Sequence, residues 1–159
     1  MDQTTRNRIR RIFLSDRSSF SLKAAAAELG VSPGELEGEV EMGAIVAGSG
    51  AGGQRVGRGE LVAAAVRVWG LAAVEEALGG EAAAVLPEAV RQVEVRTRLP
   101  RYQSDMLRHL AAQRGTSVDD VLSRELEDVA CAHAEELAAA VPGFAGALAW
   151  PESENRIED

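Results

Sequence analysis

The sequence predicts a mainly α protein built from two small domains, and three observations carry that expectation. Ala and Gly are abundant while aromatic residues make up only 4% of the 159 residues, which suits helices with small-residue contacts better than a large aromatic core. The 46% hydrophobic content is that of a globular chain. Apolar residues recur at helical spacing in several segments, and Gly or Pro stands where most of those segments stop.

Taken in order, residues 1–19 set Ile9, Ile12, Phe13 and Leu14 among Arg6, Arg8, Arg10 and Arg11, an amphipathic basic helix or an arm. Ser21 is placed to cap a short helix from Leu22 to Leu29, which Gly30 ends. A second helix follows at once, with Ser32 as cap, Pro33 in the first position, Glu35 three residues after the cap and Gly43 beyond the end. Ala44–Ala47 reads as a short strand, Gly48–Gly53 as a glycine turn, Gln54–Val56 as the returning strand, and Glu60–Leu78 as helix.

This order of helix, Gly30-Val31-Ser32-Pro33 turn, helix and glycine hairpin resembles the winged helix-turn-helix of MerR-type regulators and phage excisionases over roughly residues 20–66, within a domain of residues 20–90. The resemblance implies DNA contact by the second helix and the wing. Here the second helix carries Glu35, Glu37, Glu39 and Glu41 and no base, so only Arg55 and Arg58 of the wing, with Lys23, are available to phosphate. A protein-docking or dimer-supporting role for this domain is the open alternative.

The next segment, Val93 to Leu99, alternates strictly. Val93, Val95, Thr97 and Leu99 share one face of a strand, and Glu94, Arg96 and Arg98 share the other. Pro100 stops the strand, a helix runs from about Tyr102 to Arg114 before Gly115, and Ser117 caps a second helix with apolar positions Val118, Leu122, Leu126 and Val129. Strand, Leu-Pro, helix, Gly-Thr-Ser-Val and helix together resemble the ribbon-helix-helix family of Arc, CopG and MetJ over residues 92–131, in a domain of residues 91–141 with an extended second helix. The resemblance implies a homodimer whose strands pair as a β-ribbon in the major groove of double-stranded DNA. It assigns base reading to Glu94, Arg96 and Arg98, and phosphate contact to the Ser117 and Val118 amides. Asp119 and Asp120 lie in that same helical turn, where they favour the helix but repel phosphate.

Charge is unevenly divided, a basic stretch at residues 1–20 and another at 91–115 standing within a chain of net charge −8. The tail, residues 142–159, holds Phe144, Leu148 and Trp150 ahead of acidic residues, and is expected either to fold back or to bind a partner protein, as the acidic helix 34–42 also could.

Other chemistries find little support. Gly48-Ser-Gly-Ala-Gly-Gly53 fits a dinucleotide-binding pattern, but no helix opens at the glycines and no second β-α-β unit follows. Cys131, His109 and His133 cannot supply the four ligands of structural zinc, and no nucleophile with a base and an orienting acid is present. Neither enzymatic activity nor a cofactor or metal is expected. The single cysteine, a polar Arg-rich start and apolar runs far below the roughly 20 residues of a membrane span suggest a cytoplasmic protein. The expected function is that of a transcriptional regulator, an antitoxin-type autorepressor being one form. The competing reading is a non-enzymatic adaptor in which the ribbon only dimerises.

Overall fold

Ten α-helices follow one another along the described residues, 1–50 and 53–151, of a computed structural model, with one three-stranded antiparallel sheet among them. The chain divides into two units, Met1–Gln92 with the residues from Gly146 onward, and Val93–Ala145. No helix of the described residues is long and apolar enough to cross a membrane.

In the N-terminal unit the first helix, α1 (Gln3–Phe13), starts at Asp2, whose carboxylate accepts from the amides of Thr4 and Thr5. Its Ile9, Ile12 and Phe13 are buried, so the residues expected as a separate arm or helix supply a wall of the core. Its arginines serve the same packing. Arg6 pairs with Glu76, Arg10 donates to Glu81 at 2.8 Å, and Arg11 pairs with Glu28 at 2.8 Å. Replacing Phe13 by Ala should therefore cost about 3–5 kcal/mol of stability by leaving a cavity. An unchanged denaturant midpoint for that variant would return α1 to the status of an arm.

Helices α2 (Leu22–Leu29) and α3 (Pro33–Glu41) lie where the cap residues put them. The Ser21 hydroxyl accepts from the Ala24 amide, and Ser32 and Glu35 form a reciprocal capping box. Gly30 takes φ +78° between them, and an added Cβ there would collide with the Arg8 guanidinium.

The sheet departs from expectation. Strand β1 (Ser19–Ser21) was not anticipated, β2 (Ala47–Gly50) begins where the expected strand ends, and β3 (Gly53–Gly57) is longer than read. Their order is β1-β3-β2, with Val56 facing Phe20 on one side and Ala47 on the other. Glycines expected to form the turn thus become strand, because pairing with β3 satisfies their backbone groups. The expected turn residues 51 and 52 lie outside the described residues.

Glu60–Leu78, expected as one helix, is two: α4 (Arg58–Trp69) and α5 (Leu71–Leu78). Gly70 separates them with φ +78° and ψ 153°, a conformation outside the helical region that only glycine adopts readily. A short α6 (Ala82–Val85) and two 3₁₀ turns complete this unit, and the tail residue Trp150 packs against its core while Leu148 stays exposed.

The second unit contains a helical hairpin, α7 (Arg101–Arg114) and α8 (Val118–Ala132). Its buried core is small, consisting of Leu107, Ala111 and Val121 with Leu110 and Val118 packed at its edge. The second helix was expected to reach Val141; instead it stops at His133, whose ψ of 22° with φ −115° leaves the helix, and α9 (Ala134–Ala140) restarts beyond it. A last helix, α10 (Phe144–Ala149), follows Pro142-Gly143.

Candidate nucleic-acid interface

The segment expected as a strand paired across a dimer, residues 93–99, forms neither strand nor helix in the single chain. A strand needs a neighbour to accept its ladder of hydrogen bonds, and this unit contains no other strand among the described residues. Every residue from Gln92 to Pro100 is exposed, Val93 at 80% and Val95 at 77%.

Apolar exposure continues onto the hairpin. Tyr102 and Met106 of α7 are exposed, as are Leu126 and Val129 of α8, although the spacing of the last two had marked them for burial. Helical periodicity correctly describes the stripe, but α7 alone covers only its Val118 to Leu122 end. A unit of this size with three buried side chains is short of core and leaves several apolar ones exposed.

On the polar side of the segment, the Arg96 Nε donates to the Glu94 carboxylate at 2.9 Å, with the two side chains 88% and 74% exposed. A contact two residues apart fits a shared face in an extended backbone. Arg98 has neither hydrogen bond nor ion pair among the described residues. An exposed guanidinium with its donors uncommitted can bond guanine O6 and N7 together, and a carboxylate can accept from cytosine N4.

The amino end of α8 is arranged differently from the expectation. Ser117 caps the helix, accepting from the Asp120 amide at 3.0 Å, but its own amide donates to Asp120 Oδ2 at 3.1 Å. The Thr116 and Ser117 hydroxyls also donate to that oxygen, each at 2.7 Å. Bonds from Thr116 and then Ser117 hold the Asp120 carboxyl below its ordinary range. A carboxyl whose folded value is lowered stabilises the fold above its unfolded value, and that contribution is lost as pH falls through the folded one. The two amides assigned to phosphate are thus unequal, since Ser117 already serves a carboxylate.

In the N-terminal unit, the two arginines expected to serve a wing, Arg55 and Arg58, are spent on the fold. Arg55 Nε donates to the Ser19 hydroxyl at 2.9 Å and Nη2 to the Ser19 carbonyl at 3.0 Å, bracing β3 against β1. Arg58 donates to the Phe13 carbonyl at 2.6 Å, closing the end of α1. The sequence could not show this, because both acceptors are backbone or hydroxyl groups some forty residues away. Glu37 and Glu41 of α3 are exposed, and no basic residue stands on that helix.

Among the described residues no group of three His, Cys, Asp or Glu side chains is placed to hold a metal ion. Cys131 is exposed on α8, and His133 lies 3.6 Å from the Glu136 carboxylate. No protein-family model matches the chain, and no significant match is found among curated proteins or solved structures.

Proposed function

We propose that the chain is a sequence-specific DNA-binding regulator, acting in the cytoplasm as a homodimer of ribbon-helix-helix type. The observation that carries this reading is the exposed segment 93–99, in whose sequence Val93 and Val95 alternate with Glu94, Arg96 and Arg98, next in the chain to a hairpin that leaves Met106, Leu126 and Val129 exposed. Two copies pairing these segments antiparallel supply each other with the missing ladder, and their helices cover Met106, Leu126 and Val129. The polar faces of both strands then lie together as one ribbon for the major groove. No step calls for catalysis or a cofactor. An autorepressor of the antitoxin type is one form such a regulator takes.

Selection of bound duplexes from a random DNA pool tests the proposal. An enriched two-fold symmetric motif supports it. Recovery of no motif at moderate salt would leave the ribbon as a dimerisation device only.

For the N-terminal unit, the internal use of Arg55 and Arg58 and the four glutamates of α3 favour a protein-docking role over DNA contact. Reversing Glu37 and Glu39 to Lys is expected to leave base preference unchanged while raising affinity for unrelated DNA. Selection on that double variant checks this, and an altered motif would put α3 in the groove.

A further inference from the structure

Side-chain donors buried without an acceptor are uncommon in folded proteins, because each keeps the cost of leaving water with no bond to offset it. Among the described residues four side-chain atoms stand in this position, and two of them, Arg58 Nε and Trp150 Nε1, belong to residues lining one cleft. That cleft measures about 310 Å³, and its other walls are Phe13, Val62, Ala84 and Val85. All six residues belong to the N-terminal unit. We propose that this cleft is a binding site for a small organic carboxylate.

The local folding explains why these groups meet. Phe13 ends α1, Arg58 opens α4 one turn ahead of Val62, and Ala84 and Val85 stand on α6. Trp150 reaches the same place because its ring packs against the core of this unit. Arg58 Nη2 donates to the Phe13 carbonyl at 2.6 Å, and that bond fixes the guanidinium against a neutral acceptor. Its charge has no ion pair among the described residues, and Nη1 has no acceptor there either.

A guanidinium keeps its proton at any ordinary pH and an indole N–H only donates, so the ligand must bring acceptors and a negative charge. A carboxylate has both, with one oxygen for Arg58 and, after a small turn of the indole, one for Trp150. Phe13, Val62 and Val85 offer apolar walls, so the rest of the ligand is apolar. The volume lies at the small end for small-molecule sites, which restricts that body to a short branched chain or a single ring. Sulfate and phosphate suit the cleft less well, since its apolar walls would strip water from their remaining oxygens without replacing it. A neutral amide would set its own N–H groups against the donors already present. The proposal stands apart from the regulator reading, and none of its measurements uses DNA.

The full chain carries its own reporter and control, because it has two tryptophans, Trp69 and Trp150, of which Trp150 lines the cleft. Benzoate and isobutyrate are titrated while the two indole N–H resonances are followed, the one missing from Trp150→Phe being that of Trp150. At least one of the two carboxylates should shift the Trp150 resonance saturably and leave that of Trp69 in place, with a Kd on the order of 0.1–1 mM. Benzamide and sulfate should bind roughly 10-fold more weakly or worse. Followed at the Val62 and Val85 amides, Trp150→Phe should weaken the carboxylate roughly 2–10-fold by removing one donor, and Arg58→Gln roughly 10–100-fold by removing the charge. If Arg58→Gln loosens the end of α1, the comparison of benzoate with benzamide in the unaltered chain decides alone. No saturable shift from either carboxylate, equal affinity for benzoate and benzamide, or undiminished benzoate binding by a folded Arg58→Gln chain would overturn the proposal.

Discussion

Replacing Val95 by Asp is expected to abolish dimerisation and, with it, any sequence-specific DNA binding. Val95 is 77% exposed in the single chain, so the substitution costs an isolated unit almost nothing. In a paired ribbon the same position turns toward the shared core. Each copy there loses about 1.5–3 kcal/mol of apolar burial, and two-fold symmetry imposes the loss twice. A total of roughly 3–6 kcal/mol corresponds to a dimer Kd raised on the order of 10²–10⁴-fold, before the cost of enclosing an unpaired carboxylate is added. Sedimentation over a range of concentrations measures it. The helical signal of α7 and α8 should fall along with the dimer, since Leu107, Ala111 and Val121 are too little core to hold the hairpin alone. The N-terminal unit, with Ile9, Phe13, Val56 and Leu61 buried, should keep its own unfolding transition. A wild-type chain that sediments as a folded monomer at micromolar concentration would remove the basis for the ribbon.

The contrast between the two units explains what the sequence could disclose. Helix boundaries were legible where they depend on local stereochemistry: Ser21, Ser32 and Ser117 do cap α2, α3 and α8, and Gly30 and Gly115 do end the helices before them in the left-handed conformation. Features settled by distant partners were not legible. Ser19–Ser21 is too short and too polar to show alternation, and becomes a strand because β3 lies beside it. The glycines of β2 have poor strand propensity and resemble a turn until the same neighbour pairs with them. Gly70 within an apolar helical pattern is commonly tolerated, and nothing nearby reveals that here the backbone leaves the helix. No residue type near His133 marks the break between α8 and α9, and the structure offers no physical cause for it. Of the candidate site, the alternation of Val93 to Leu99 and the hazard of two aspartates beside Ser117 could be read from the sequence. The internal engagement of Arg55 and Arg58, and the bonding that sets Asp120 apart from Asp119, depend on three-dimensional placement.

Arg98→Ala should separate readout from structure more cleanly than any change on the apolar face. The side chain has no partner among the described residues, so its removal should leave the melting temperature unchanged within experimental error. On DNA, each bidentate contact to guanine is worth about 1–3 kcal/mol, and the dimer loses two. Affinity for the selected duplex should therefore fall by a factor on the order of 30 to 10⁴, with relaxed preference at two symmetric positions. Arg96→Ala should cost less, because Arg96 is already bonded to Glu94 and must share or surrender that contact to reach a base. Glu94→Ala sharpens the comparison: freeing Arg96 from its partner should raise its reach for guanine while removing an acceptor for cytosine, so the motif should change at two symmetric positions without loss of overall affinity. The specific and nonspecific states of DNA-binding proteins differ by roughly 4–10 kcal/mol, a range the four arginines of a dimer could span. The double variant Arg96→Ala, Arg98→Ala is accordingly expected to bind selected and scrambled duplexes equally. Competition binding at moderate salt measures the ratio. A double variant that still prefers the selected duplex as strongly as the wild type would show that the ribbon is not the reading element, and the adaptor reading would then take its place.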